Sequence, residues 1–151
     1  RTRGYFLRQS NGSDCRGAMV RFVELGNDER CCNTEMRARM LNSSKARHTH
    51  HYVVMEDGSE VAFIALDQIP GVEYLVLYEI FVRPDCRGKG IGSRMLGEVE
   101  GVAKDLGYER ITLSPWPLEA GYPEEKLIAW YKRHGYVERT DCPTELEKNI
   151  D

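Results

Sequence analysis

The sequence predicts an α/β domain built on a mixed, mostly antiparallel central sheet of about six to seven strands flanked by helices. Three observations predict it. Asp57-Gly58 separates two strand-like segments, 50–56 and 60–66, and this dipeptide supplies the positive φ angles that a two-residue hairpin turn requires. The segment 73–82 (EYLVLYEIFV) is apolar on both faces, as a strand in the middle of a covered sheet must be. Ile91, Met95, Val99, Val102, Ala103 and Leu106 then recur every three or four residues, while Arg94, Glu98, Lys104 and Asp105 take the opposite face of a helix.

The remaining elements follow in order. Residues 1–16 are polar and poorly defined, with Tyr5-Phe6-Leu7 compatible with a short strand. Residues 19–25 (MVRFVEL) alternate apolar and charged side chains, as a half-buried strand does. Asn27 or Asp28 is placed to cap a helix running to about Leu41, with Cys32, Met36 and Met40 on one face. Residues 42–48 form a loop before the hairpin, and Pro70-Gly71 marks a second turn. Gly107 ends the helix that starts near Ile91. Residues 110–113 (RITL) read as a short strand and 114–122 (SPWPLEAGY) as a loop. Pro123, Glu124 and Glu125 open a further helix that carries Leu127, Ile128, Trp130 and Tyr131 and stops at Gly135. Segments 136–139 and 144–150 are the final strands.

At 151 residues the chain suits a single domain, 1–151, with a sizeable core. No apolar run approaches the roughly 20 residues of a membrane span, so no membrane partner is expected. The N-terminus carries no signal peptide and opens Arg-Thr-Arg-Gly without Met, which points to a trimmed chain or a domain cut from a longer one. The five cysteines (15, 31, 32, 86 and 142) are odd in number and form no Cys-x-x-Cys pair. That argues against a disulfide framework and for a reducing, cytoplasmic setting. A net charge of −3 disfavours nucleic acid as a partner.

Charge is distributed unevenly. From Arg83 to Arg94 the cations Arg83, Arg87, Lys89 and Arg94 face the single anion Asp85. In this stretch a buried strand, a Pro break and a glycine-rich loop lead into a helix start, an order that cradles anionic oxygens. Glycines let backbone N–H groups approach the anion, and the first turn of the helix adds unpaired donors and its positive dipole end. A P-loop would need Gly-x-x-x-x-Gly-Lys-Ser/Thr, and Lys89 is followed by Gly90. A dinucleotide fold would need Gly-x-Gly-x-x-Gly and an acidic residue after the next strand. Here Met95 replaces the third glycine and the strand ends Leu113-Ser114-Pro115. The residues alone leave a phosphate-bearing ligand of open identity.

Val82-x-Pro84-x-x-Arg87-Gly88-x-Gly90-Ile91-Gly92 resembles the acetyl-CoA-binding motif of the GNAT acetyltransferase superfamily, Arg/Gln-x-x-Gly-x-Gly/Ala. The hairpins before it and the helix and strand after it fall in that family's order. Trp130-Tyr131-Lys132-Arg133-His134-Gly135-Tyr136 is similar to its Leu-Tyr-x-x-x-Gly-Phe segment. The resemblance covers roughly residues 19 to 150. It implies a GNAT-like acyl-CoA N-acyltransferase fold in which the strand before the loop and the strand after the following helix splay apart. The pantetheine arm of the cofactor fills that gap like an added strand. On this chain the backbone of Ile80, Phe81 and Val82 would hold the arm and thioester. The N–H groups of Arg87, Gly88, Lys89, Gly90, Ile91, Gly92 and Ser93 would hold the pyrophosphate. The implied co-substrate is acetyl-CoA, with no metal, and the implied reaction is direct attack of a neutral amine on the thioester carbonyl.

Such a reaction needs a proton taken from the amine and one given to the departing thiolate. Tyr131 matches the family's general-acid tyrosine, four residues before Gly135; otherwise it is a core aromatic with a bonded hydroxyl. Glu79, the lone carboxylate late in an apolar strand, is the candidate base, because burial would raise its pKa toward neutrality. It could equally be a structural carboxylate paired with a cation, and many family members use a water chain instead. Tyr78 and Glu73 stand in reserve for this role, and Tyr78 with Trp116 is assigned to the acceptor site. Glu124 and Leu127 depart from the Asn and Ala that the family often places there, and the 114–122 loop is long.

Glu119, Glu124, Asp67 and Glu73 favour a cationic acceptor by Coulomb attraction. His48, His50 and His51 do not read as metal ligands, since His50 and His51 would point to opposite faces of a strand. Cys86, close to the loop, is a candidate for thiol reagents. The short first helical segment predicts an acceptor pocket left open or completed by a second subunit, as in a homodimer. The first expectation is an N-acetyltransferase acting on a small-molecule or protein/peptide amine. Its alternatives are a non-catalytic acyl-CoA-binding regulatory module, a toxin-like acetyltransferase of aminoacyl-tRNA, and a nucleotide-binding fold.

Overall fold

The structure, a computed structural model, describes residues 4–5, 20–26, 31–118 and 121–150. They fall into two units. The first contains the chain up to Ala65 together with Glu79–Gly92, and the second contains Leu66–Tyr78 and the chain from Ser93.

The first unit holds β1 (Gly4–Tyr5), β2 (Val20–Leu25), α1 (Thr34–Asn42), β3 (Thr49–Glu56), most of β4 (Ser59–Asp67) and the end of β5 (Tyr74–Val82). Its strand order is β1-β2-β3-β4-β5. β2 pairs antiparallel with β3 in a register that sets Val23 opposite Val53 and Leu25 opposite His51. The hairpin between β3 and β4 turns on Asp57 (φ 49°) and Gly58 (φ 81°), the left-handed pair that the dipeptide promised.

The start of α1 corrects the sequence reading. Residues 27–30 lie outside the described residues, but the cap of the described helix is Asn33, whose side chain accepts from the N–H groups of Glu35 (3.0 Å) and Met36 (3.1 Å). A short amide side chain that satisfies the first-turn donors sets the helix start more firmly than hydrophobic spacing does. Cys32 therefore precedes the helix and is exposed, and Cys31 is the buried one. Met36 and Met40, one turn apart, pack with Cys31, Val53, Phe63 and Ala65, with Phe81 against the cluster.

The second unit holds the end of β4, the beginning of β5, α2 (Ile91–Asp105) from Ser93 onward, β6 (Arg110–Leu113), α3 (Glu124–Arg133), β7 (Val137–Glu138) and β8 (Leu146–Asn149). Its strand order is β4-β5-β6-β8-β7. α2 buries Met95, Leu96, Val99 and Ala103 on the predicted face. Leu106 is instead 45% exposed, because the helix has already ended before Gly107 (φ 81°). The last two strands are shorter than predicted. Beyond them Arg139 N–H donates to Glu145 O (3.0 Å), the residue opposite it, and its guanidinium pairs with Glu145 and Asp141. Counting the two-residue strands β1 and β7, there are eight strands among the described residues.

One pairing positions the site. β5 runs parallel to β6, and the two are in register only from Tyr74–Arg110 to Val76–Thr112. β5 continues to Val82 after this pairing ends.

Candidate functional site

The turn after β5 is closed by short-range bonds. Arg83 N–H donates to Val61 O (2.9 Å), while its guanidinium donates to Glu60 O (3.1 Å) and grips the Asp85 carboxylate. Pro84–Cys86 forms a 3₁₀ turn in which Cys86 N–H donates to Arg83 O. Gly88 (φ 77°) and Gly90 (φ 78°) then take left-handed backbone, and a Cβ at either would meet no atom within 4 Å. Glycine is needed there for conformation rather than for room. α2 begins at Ile91 with no acidic residue in its first turn, so its unpaired N–H groups and positive dipole end face no competing carboxylate.

Arg87 departs from expectation. Its N–H closes on Pro84 O (3.4 Å), and its Nε donates to Val82 O (2.9 Å). Its guanidinium lies 5.5 Å from the centroid of the Phe81 ring. Two groups expected to be open for a ligand, the Arg87 N–H and the Val82 carbonyl, are thus engaged within the chain. Gly88, Lys89 and Gly90 are exposed, while Ile91 is buried as the first apolar residue of α2. Ile80, Phe81 and Val82 are half-buried.

Glu79 is buried, its side chain 4% exposed, with Arg39 Nε 3.5 Å from Oε2. The Arg39 guanidinium also lies 5.3 Å from the Phe81 centroid. Glu79 Oε2 and Ser43 Oγ are both buried without a hydrogen bond of ordinary geometry. Burial raises the pKa of Glu79, and the Ser43 hydroxyl and Arg39 guanidinium pull the other way without cancelling the rise. The two sequence readings of this residue thus coexist: it is a carboxylate pushed toward neutrality and it has a cation beside it. Arg39 and Ser43 escaped the sequence reading. Their i, i+4 spacing puts them on one side of the α1 end, but nothing in the sequence aims that side at β5.

In the second unit Tyr131 is buried in an aromatic cluster. Its ring meets Trp130 edge-on at 5.0 Å and Tyr136 at 5.6 Å. Burial holds its phenol well above the ordinary tyrosine range, so it stays protonated. Tyr136 is raised by burial first, then by Tyr131 and Glu100, and its hydroxyl has no hydrogen-bond partner among the described residues. Ser93, in the first turn of α2, bonds through Oγ to His134 Nε2 (2.9 Å), and His134 Nδ1 donates to Trp130 O (2.7 Å). A carbonyl can only accept, so Nδ1 carries a proton in this bond. His134, four residues after Trp130, was also missed as the partner of Ser93.

Trp116 is 70% exposed and Tyr78 50% exposed. Glu119 lies outside the described residues. In the β2–β3 register His51 shares the face of Leu25 and His50 that of Glu24 and Tyr52, so the two diverge as expected, although both border one cavity of about 780 Å³ between the ends of β2, α1 and β3. Each has its own partner: Glu24 Oε1 lies 2.8 Å from His50 Nδ1, and Ser44 O 2.9 Å from His51 Nε2. Among the described residues no group of three or more His, Cys, Asp or Glu side chains could hold a metal ion. Cys86 is buried and hydrogen-bonded to Asp85, and burial raises its pKa, which disfavours the thiolate that thiol reagents need. No helix among the described residues is long and apolar enough to cross a membrane.

The profile of the acetyltransferase (GNAT) family matches residues 19–136. The chain belongs to the GNAT acetyltransferase family. An uncharacterised N-acetyltransferase of Methanocaldococcus jannaschii is 33% identical over 93 residues, 58% of this chain and 39% of that protein. The chain therefore spans well under half the length of that relative. Among solved structures, the ribosomal-protein-S18-alanine N-acetyltransferase from Escherichia coli is similar with a TM-score of 0.62 at 17% identity, over 88% of this chain and 95% of that one. A GNAT acetyltransferase from Elizabethkingia anophelis with acetyl-CoA bound is similar with a TM-score of 0.60 at 12% identity, over 87% and 98% of the two chains. Both are likenesses of fold. The mixed, mostly antiparallel sheet of this family member is a GNAT sheet, with β5 as the strand that enters the glycine loop.

Proposed function

We propose that the chain is an acetyl-CoA-dependent N-acetyltransferase that moves the acetyl group directly to a primary amine of a small molecule or of a protein or peptide. The observation that supports this most is the early parting of β5 from β6 after Val76, followed by the left-handed glycines and the uncompensated start of α2. An unpaired strand edge suits an amide-bearing arm, and the loop beside it suits a pyrophosphate. Coenzyme A carries both, so the residues present fit it. The fit is best at Ile80, Phe81 and Gly88–Ser93, because Val82 O is already taken by Arg87.

When bound, acetyl-CoA supplies an activated thioester carbonyl and a thiol leaving group. In this reading Glu79 takes the proton of the attacking amine, and Tyr131, kept protonated by burial, returns one to the departing sulfur. Trp116 and Tyr78 offer exposed aromatic surface to the acceptor.

Purified protein should show a coenzyme A-dependent rise in melting temperature and release free thiol from acetyl-CoA in the presence of a broad panel of amines. A thermal shift with no thiol release from any amine would point to the non-catalytic binding module instead. Gly90→Val should weaken coenzyme A binding by isothermal titration. Holding a β-branched residue at a φ of 78° costs about 1–3 kcal/mol, or roughly 5- to 150-fold in affinity. Unchanged affinity in that variant would remove the loop from the site.

A further inference from the structure

Ser93 has one hydroxyl hydrogen and two claims on it. Its Oγ lies 2.9 Å from His134 Nε2, and it stands in the first turn of α2, where an anion is expected. His134 is held from the other side, with Nδ1 donating to Trp130 O at 2.7 Å and its ring 4.9 Å from the Trp130 ring. With Nδ1 committed as a donor, Nε2 has two states. Neutral, it accepts, and the Ser93 hydrogen is spent on it. Protonated, it donates to Oγ, and the Ser93 hydrogen can turn to another acceptor. Pyrophosphate oxygens only accept, so Ser93 serves them in the second state alone. The neighbouring charges oppose that state while no anion is present. The ring meets Ser93 on α2 and Trp130 on α3. Arg94 adjoins Ser93, and Leu96 and Gly97, one turn on, carry no charge. On α3, Tyr131 stays protonated, Arg133 adjoins His134, and Lys132 pairs with Glu138 of β7. An anion on the first turn of α2 reverses this balance by attracting the added charge.

We propose that His134 is a positioning residue for the cofactor: as the pyrophosphate of coenzyme A settles on the first turn of α2, His134 takes up a proton at Nε2 and releases the Ser93 hydroxyl to the phosphate. This rests on coenzyme A being the ligand. The proton comes from solvent. The new N–H donates to Ser93 Oγ, the Ser93 O–H donates to a phosphate oxygen, and no other bond to hydrogen is made or broken. Binding of the cofactor is thereby linked to proton uptake at a residue outside the glycine loop.

The test titrates the full chain with coenzyme A by calorimetry in buffers of different ionisation enthalpy, which counts the protons taken up. The wild type takes up more than His134→Gln by a measurable fraction of a proton. That comparison cancels the titration of the cofactor's own phosphates, which both chains share. From pH 6 to 8.5 the wild type loses affinity more steeply than His134→Gln, by up to about tenfold per pH unit. Ser93 is exposed, so Ser93→Ala keeps the fold, and it weakens binding by about fivefold or more. NMR of the His134 ring in the wild type reads the event without any substitution, as Nε2 gains a proton when coenzyme A is added. Equal proton uptake in the two chains, parallel pH profiles, unchanged affinity in Ser93→Ala or an unchanged ring overturns the proposal. If the wild type binds no coenzyme A, the acetyltransferase reading is what fails, and inorganic pyrophosphate is titrated in its place. Binding with protonation of the His134 ring then upholds the role of His134; binding without it, or no binding, overturns it.

Discussion

Glu79→Gln should lower kcat for amine acceptors by roughly 10²- to 10⁴-fold at pH 7.5, the range lost when a positioned general base is removed. The same substitution should leave the melting temperature equal to or above that of the wild type at neutral pH. The sign follows from burial. The folded-state pKa of Glu79 lies above its unfolded value, so the folded protein binds this proton more tightly. Stability from that group is then full below the unfolded pKa and declines as pH rises through the folded one. Gln removes the ionised form that burial penalises. Arg39 keeps 22% of its side chain exposed and retains the Phe81 ring, so it is not stranded. A purely structural carboxylate predicts the opposite pair of results, a lower melting temperature and an activity loss no larger than the loss of folded protein. A water chain acting as the base would leave kcat within about tenfold. Steady-state kinetics and a thermal melt at matched pH separate the three.

Tyr131→Phe should cost a further roughly 10²- to 10⁴-fold in kcat, with coenzyme A affinity by titration calorimetry close to that of the wild type. The substitution removes one oxygen and keeps the edge-on contacts with Trp130 and Tyr136 that hold the ring. If Tyr131 were only a core aromatic, kcat would stay and stability alone would change. Burial pushes its phenol upward, and an acid must be protonated to act, so the wild-type rate should not fall between pH 8 and about 10 through loss of this proton. Tyr136 sits beside it with a hydroxyl that has no hydrogen-bond partner among the described residues, and Tyr136→Phe is the natural control.

Much of the fold was legible because its signals are local. Asp57-Gly58 announces positive φ twice, and the hairpin follows. The spacing of Met95, Val99 and Ala103 names the buried face of α2 without reference to any neighbour. The failures were also local contests. Asn33 took the cap that Asn27 and Asp28 were given, because its side chain reaches two first-turn N–H groups. Leu106 matched the period of α2 but fell beyond the last helical residue, Asp105, just before the left-handed Gly107.

The candidate site divides along the same line. By itself the sequence determined the glycine loop that leads into α2, the Tyr131–Gly135 spacing and the family, since each is a run of neighbouring residues whose backbone demands do not depend on distant partners. Tertiary structure decided what surrounds the candidate base. Arg39 and Ser43 reach Glu79 across 40 and 36 residues of chain, and Ser93 meets His134 across 41. It also turned the Arg87 side chain back onto Val82 and Phe81, and ended the pairing of β5 with β6 at Val76. Turn and helix propensities are properties of a few adjacent residues. The charge beside a buried carboxylate is set by which helix packs on which strand, and only folding brings those together.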